Sequence, residues 1–328
     1  MNWNQWANEI VEENKSLSKA EALAILQSTN DELLEVLHAA FHIRNHFYGR
    51  TVSLHLLQNA KSGACPEDCS FCSQSKTAQT DVPEYALQTV EEIVNGAAAA
   101  IEVDALRYCV VTSTRAPSEN DLQTLCAAAQ QIKIKFPQLE LCASMGFLDE
   151  KKAKRLCNSG IDRFNHNLET SARFYPSICS THRFEDRVQT ARIVKKAGMD
   201  LCSGGLIGMG ERLEDRVDLA FELKAVGADS APINFLDPRE GTSLEALSPL
   251  TPQDALRTIC MFRFVLREAE VRVAGGREKC LRSLQSLALY PANSIFTNGY
   301  LTTDGQGVDT DRQMIYDAGF QIGHLVRS

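Results

Sequence analysis

No apolar run in this chain approaches the roughly 18 residues that would cross a bilayer as a helix, so no membrane partner is expected. Positive charge is in short supply too: 34 Lys and Arg against 42 Asp and Glu leave a formal net charge of −8. Affinity for DNA or RNA rests on neutralising phosphates, so no nucleic-acid partner is expected. The opening Met1-Asn2-Trp3-Asn4-Gln5-Trp6 has neither the basic start nor the apolar stretch of a signal peptide. A cytoplasmic chain is the expectation. Linkers rich in Gly, Pro or Ser, internal repeats and low-complexity tracts are missing as well, which argues against a string of small modules.

What is present begins with size. A chain of 328 residues that is 44% hydrophobic can bury a large core, as one large α/β domain or two ordinary ones. Residues 18–47 read as two helices. Ser18 suits an N-cap, with Glu21 completing a capping box, and the apolar stripes run through Ala22, Ile25 and Leu26, then Leu33, Leu34 and Leu37. After Tyr48-Gly49-Arg50, β-rich runs appear at 52–57, 106–113, 139–144, 163–166, 200–207, 230–235, 271–274 and 294–296. Helical patterns lie between them at about 88–104, 119–136, 149–158, 184–197, 212–226, 252–269 and 279–289. Eight strands alternating with helices predict a closed parallel, TIM-type (β/α)₈ barrel over 49–328, with 1–48 as an N-terminal helical extension. An open doubly wound sheet is the alternative.

Eleven cysteines are many for this length, and their odd number with no secretion signal speaks against a disulfide framework. Three of them, Cys65, Cys69 and Cys72, fall in a Cys-x-x-x-Cys-x-x-Cys loop after the first strand, where a barrel opens on its catalytic face. Such spacing lets thiolates converge from one loop onto three corners of an iron–sulfur cube and leaves the fourth iron without a nearby protein ligand. A structural zinc site would ask for four ligands, commonly two Cys-x-x-Cys knuckles. No second knuckle is present, and His55 lies on a strand. Pro66, Glu67 and Asp68 mark an exposed loop rather than core filler.

The loop, including Phe71 before its last cysteine, resembles the signature of the radical S-adenosylmethionine (SAM) enzymes. The resemblance implies a [4Fe–4S] cluster on Cys65, Cys69 and Cys72, with SAM chelating the open iron and yielding a 5′-deoxyadenosyl radical. In such enzymes the cofactor carries the chemistry, while the protein orients, tunes and excludes solvent.

Cys109, Cys142 and Cys202 sit on predicted strands, and Arg277 follows Val273-Ala274-Gly275-Gly276. Inward side chains of neighbouring strands can meet inside a barrel, although any one strand cysteine is by itself ordinary buried filler. The segments Phe164-Asn165-His166-Asn167-Leu168-Glu169-Thr170-Ser171, Cys202 to Glu211, Ala231-Pro232-Ile233-Asn234 and Gly275-Gly276-Arg277-Glu278 resemble the biotin synthase family. The likeness runs in order from about residue 50 to 303. It implies sulfur insertion into dethiobiotin, with Cys109, Cys142, Cys202 and Arg277 holding a [2Fe–2S] cluster whose sulfide enters the product. A guanidinium stays protonated in proteins, so a charge that tunes the cluster would need the same position as a ligand. A homodimer and an external electron donor of flavodoxin or ferredoxin type are implied too.

By the same resemblance, Asn165, Asn167 and Asn234 surround dethiobiotin and SAM. Asn165 and Asn167 alternate on one strand and so share a face, and an amide offers both donor and acceptor to a cyclic urea. Strand-end capping is their plainer role. Glu169 stands where the family places an acid for the ribose of SAM, and Arg187 reads as the partner of its carboxylate, with a solvated ion pair as the alternative. Gly204 and Gly205 open a segment that approximates the superfamily's Gly-x-Ile-x-Gly-x-x-Glu, with Leu206 in place of Ile. His166 reads as packed, and Cys126, Cys157, Cys179 and Cys260 as structural. Cys280 is either a helix-start residue or an additional ligand of the second cluster. Rival readings are another radical SAM barrel enzyme, of mutase or hydrogenase-maturation type, or an iron–sulfur or zinc binding module without catalysis. Lipoyl synthase would need a second three-cysteine loop, and none appears near the N-terminus.

Overall fold

A computed structural model describes residues 1–324; the last four residues of the expected 49–328 barrel segment lie outside it. In chain order the elements are α1 (Trp3–Glu12), α2 (Lys19–Leu26), α3 (Leu33–Tyr48), β1 (Thr51–Lys61), α4 (Val90–Glu102), β2 (Arg107–Thr112), α5 (Glu119–Lys135), β3 (Glu140–Ser144), α6 (Glu150–Asn158) and β4 (Arg163–Asn165). They continue with α7 (Phe184–Ala197), β5 (Asp200–Cys202), β6 (Gly205–Ile207), α8 (Leu213–Ala225), β7 (Ser230–Phe235), α9 (Pro252–Val265), β8 (Glu270–Val273), α10 (Arg277–Leu281), β9 (Ser294–Phe296), α11 (Val308–Asp317) and β10 (Gln321–Ile322).

Strands β1 to β5 pair in order, β7 to β9 follow, and β9 returns to β1, all parallel. The sheet is therefore a closed barrel of eight staves, because β5 and β6 together form one stave. The run expected at 200–207 breaks at Ser203-Gly204, where the chain bends so that β5 and β6 each pair with part of β7. β10 adds a parallel pairing on the first residues of β1.

Local chemistry explains the helix starts. Ser18 Oγ accepts from the Glu21 N–H at 3.2 Å while a Glu21 carboxylate oxygen accepts from the Ser18 N–H at 2.8 Å, which is the expected capping box. Thr89 with Glu92 and Ser118 with Asp121 repeat the device on α4 and α5. The segment expected as a helix over 279–289 is instead α10 followed by a 3₁₀ stretch over Arg282–Leu289. Two helices went unexpected, α1 and α11. In α1, Trp3, Ala7 and Ile10 form a buried stripe at helical spacing. That stripe joins one hydrophobic core with α2, α3 and α9.

Strand periodicity sorts the barrel interior. The even-odd alternation that buries Tyr108 and Val110 against the helices turns Arg107 and Cys109 inward. Across the ladder Arg107 pairs with Glu140, Cys109 with Cys142 and Pro232 with Arg272. A polar layer of His55, Arg107, Glu270, Arg272 and Ser294 therefore lies inside the barrel, all of it buried. Charges so deep persist only when paired. Glu270 accepts from Arg107 at 3.0 and 3.2 Å, from Arg272 at 2.6 Å and from Ser294 at 2.7 Å.

Candidate active site

One cavity of about 420 Å³ opens along the barrel axis, and both cysteine sets line it. Cys65, Cys69 and Cys72 border it from the loop after β1, and Cys109, Cys142 and Cys202 border it from three strands. Asn165, Asn167, Glu169, Arg187 and Asn234 lie between these two ends.

The loop is not the exposed turn that its composition suggested. Glu67 is buried, at 5% exposure, and its carboxylate accepts from Arg115 Nη1 at 2.7 Å and from His182 Nδ1 at 2.6 Å. Ser70 N–H donates to the Ile178 carbonyl at 2.9 Å, so the loop is pinned to the segment before α7. Burial raises the Cys65 thiol and pushes Cys72 up to about 11. Losing those protons requires a cation or cluster to stabilise the thiolates.

Cys179 departs from the expectation of a structural filler. Its sulfur lies 4.0 Å from that of Cys69 and 3.2 Å from Asp68 Oδ1. The hydrogen bond from Cys69 pulls the Cys179 thiol down to about 4, and the same contact with burial pushes Cys69 up.

The strand cysteines meet as the barrel geometry allowed. Cys142 stands opposite Cys109 across the β2–β3 ladder, and with Cys202 the two form a small buried cluster packed by Leu57 and Phe296. Ser230 Oγ donates to Cys202 Sγ at 3.2 Å, and Asn165 Nδ2 approaches it at 3.3 Å. Arg272 Nη1 stands 3.6 Å from the same sulfur and lines the cavity.

Arg277 is not there. It opens α10 beyond the Gly275-Gly276 turn, and its guanidinium donates to Tyr300 Oη at 2.9 Å, Gln285 Oε1 at 3.1 Å and Asp311 Oδ1 at 2.5 Å. The reason is positional. A strand alternates its side chains only while it lasts, and Arg272 is the arginine on β8, two residues from the inward Glu270. Cys280 is likewise buried elsewhere, with its thiol 3.7 Å from the Leu250 carbonyl, which removes it from the second cysteine set.

The single set of three His, Cys, Asp or Glu donors within 4.8 Å of one another among the described residues is Cys69, Cys179 and His182. Neither cysteine triad closes on one ion. An all-thiolate donor set favours iron–sulfur chemistry. Around Cys202 the neighbouring cation Arg272 also fails as the fourth ligand that zinc would demand.

The polar middle of the cavity is braced by backbone. Asn167 Oδ1 accepts from the Gly204 N–H at 3.2 Å and from Asn165 Nδ2 at 3.2 Å. Asn234 spans from the Gly205 carbonyl, at 3.2 Å, to the Gly275 N–H, at 3.0 Å. Glu169 sits at φ +69, a left-handed backbone that is uncommon away from glycine and concentrates at functional sites. Burial raises its carboxyl while Arg187, 3.7 Å away, pulls the other way. Arg187 Nη1 donates to the Asn167 carbonyl at 2.9 Å, and its Nε bonds Tyr175 Oη. Gly204 and Gly205 do not line the cavity but shape it: a Cβ on Gly204 would stand 1.9 Å from the Pro232 carbonyl oxygen, and one on Gly205 would stand 2.5 Å from that of Glu169. His166 is buried against Phe147, and burial holds it well below the ordinary histidine range.

Residues 60–223 match the radical SAM superfamily, and residues 232–321 match the biotin and thiamin synthesis associated domain. The chain is 48% identical to a biotin synthase of Salinibacter ruber, covering 97% of this chain and 88% of that one. It is 46% identical to a biotin synthase of Bacillus cytotoxicus, covering 98% and 96%. Among solved structures it resembles methylornithine synthase, with TM-score 0.85 at 17% identity over 97% of both chains. The FeFe-hydrogenase maturase of Carboxydothermus hydrogenoformans follows with TM-score 0.82 at 16% identity, over 98% of this chain and 79% of that one. At such identities these two share its fold.

Proposed function

The chain belongs to the biotin synthase family of radical SAM enzymes, and from that premise we propose that it converts dethiobiotin to biotin by inserting one sulfur between two saturated carbons. The observation that carries this reading is the pair of cysteine triads facing each other across one cavity. When bound, a [4Fe–4S] cluster with SAM supplies a 5′-deoxyadenosyl radical for abstracting hydrogen, and a [2Fe–2S] cluster supplies the sulfur.

The chain's own residues do the rest. Cys65, Cys69 and Cys72 present thiolates to the first cluster. Arg187 offers its guanidinium to the SAM carboxylate and Glu169 its carboxylate to the ribose hydroxyls, which are charge-assisted contacts suited to a nearly dry site. Asn165, Asn167 and Asn234 give amide donors and acceptors to the cyclic urea of dethiobiotin. Cys109, Cys142 and Cys202 hold the second cluster, with Arg272, rather than Arg277, as the cationic group at its edge. Glu270 keeps that guanidinium aimed at the sulfurs. No general acid or base is needed, since radical abstraction acts on unactivated C–H bonds.

The barrel of residues 49–328 is the catalytic unit in this reading, with 1–48 as its helical extension. Thiolates and clusters persist in a reducing compartment, which supports a cytoplasmic location. No helix among the described residues is long and apolar enough to cross a membrane. A homodimer and an external one-electron donor of flavodoxin or ferredoxin type complete the proposal. Iron counted after anaerobic reconstitution tests it: about six irons per chain are expected for two clusters, and about four would leave only the loop cluster.

A further inference from the structure

We propose that Cys69, Cys179 and His182 form a single-ion site for a thiophilic divalent cation such as Zn²⁺, open while Cys69 carries no cluster. The three donor atoms already lie within 4.8 Å of one another. Metal–sulfur bonds of about 2.3 Å and metal–nitrogen bonds of about 2.0 Å at tetrahedral angles separate two sulfurs by about 3.8 Å and a sulfur and nitrogen by about 3.5 Å. The sulfurs of Cys69 and Cys179 stand 4.0 Å apart, and Cys179 Sγ lies 3.7 Å from His182 Nε2. The Cys69–His182 edge lies within 4.8 Å, and Cys179 Sγ stands nearer to Nδ1, at 3.4 Å, so closing the site also needs the imidazole to turn Nε2 from Tyr175 toward the two sulfurs.

The surroundings are built for such an ion. All three residues are buried, at 9%, 6% and 6% exposure. His182 Nδ1 is held by the Glu67 carboxylate at 2.6 Å, which fixes the tautomer and leaves Nε2 with its lone pair. A carboxylate behind a ligating histidine is the usual second partner at zinc sites. Nε2 now meets the Tyr175 hydroxyl at 2.7 Å, whose place the ion would take. A water would complete the fourth position, since Asp68 Oδ1 already accepts from the Ser180 and Thr181 N–H groups. Softness of the two sulfurs selects Zn²⁺ over the hard cations.

The competition with a cluster rests on the reading that Cys69 ligates one. A single thiolate cannot serve both centres, so the ion would occupy the unloaded chain and must leave before the loop is filled.

The test uses the full-length chain, purified anaerobically without iron or sulfide and titrated with Co²⁺ as a spectroscopic probe for tetrahedral thiolate ligation. A Cys65→Ser/Cys72→Ser double variant keeps the proposed ligands and should bind Co²⁺ with visible d–d bands and thiolate charge transfer like the wild type. Cys179→Ser, placed in the double variant, should lower the charge-transfer intensity about twofold because one of two thiolates is gone. Glu67→Gln should weaken binding by about 10- to 100-fold. Loss of the signal in the double variant, or an unchanged signal on adding Cys179→Ser, would overturn the proposal. Iron bound by the double variant after reconstitution reads the loop separately: full retention there would strike at the cluster reading alone.

Discussion

Arg272 Nη1 lies 3.6 Å from Cys202 Sγ, and Arg272 Nη2 is tied at 2.6 Å to the buried carboxylate of Glu270. This places a permanent cation at the edge of the strand-cysteine set. Replacing it with Ala should alter the visible absorption of the second cluster while leaving the loop cluster's iron in place. Arg277→Ala should leave both spectra unchanged and lower the thermal midpoint, since Arg277 clamps α10 to Asp311 of α11. Spectra of the two reconstituted variants decide between the arginines.

Glu270 supplies the pH dependence. Burial works to raise its carboxyl, but Arg107, Arg272 and His55 outweigh it and hold it well below the usual carboxylate range. A depressed acid contributes stability that is present above its ordinary value, about 4.3, and is lost as pH falls below that toward the depressed value. Unfolding of the cluster-free chain should therefore become easier below about pH 4. Glu270→Gln should cost about 3–5 kcal/mol at pH 7, because the buried guanidinium of Arg272 loses its carboxylate and Arg107 keeps only Glu140. Denaturant melts at both pH values check the size and the sign; a variant that keeps the wild-type acid dependence would contradict it.

The SAM contacts make a separable forecast. Arg187→Ala should weaken SAM binding by about 10- to 100-fold, from the loss of a hydrogen bond between charged groups. Glu169→Gln should weaken it less, because an amide can still meet a ribose hydroxyl. Equilibrium binding to the reconstituted protein, with dethiobiotin affinity as the control, is the measurement.

Gly204 should tolerate no side chain. The Cβ of an alanine would stand 1.9 Å from the Pro232 carbonyl oxygen, and forcing the strands apart should cost about 1–3 kcal/mol. The same shift would withdraw the Gly204 N–H from Asn167. A lower thermal midpoint together with weaker dethiobiotin binding is expected for Gly204→Ala.

Much of this was legible in the sequence. The capping box at Ser18 and Glu21, the eight β-rich runs and the three-cysteine spacing are local signals, and the barrel followed from their alternation. The convergence of Cys109, Cys142 and Cys202 was legible once period-two alternation on a closed sheet was granted. What failed depended on where elements stop. Arg277 stands beside a conspicuous Gly-Gly pair, yet β8 ends at Val273, so the inward position belongs to Arg272. Counting by twos from Glu270 would have found it. Cys179 offered no such signal: its partner Cys69 is 110 residues earlier, and only the docking of the loop on Ile178 brings them together. The short helix α1 was hidden because its buried stripe needs α3 to complete it.

The most direct measurement is the fate of dethiobiotin in the reconstituted chain, incubated anaerobically with SAM and a one-electron reductant. Biotin appearing together with 5′-deoxyadenosine, and biotin but not deoxyadenosine lost when Arg272 or the strand cysteines are replaced, is the predicted result. Deoxyadenosine without biotin in the wild-type chain, with both clusters counted as present, would contradict the account.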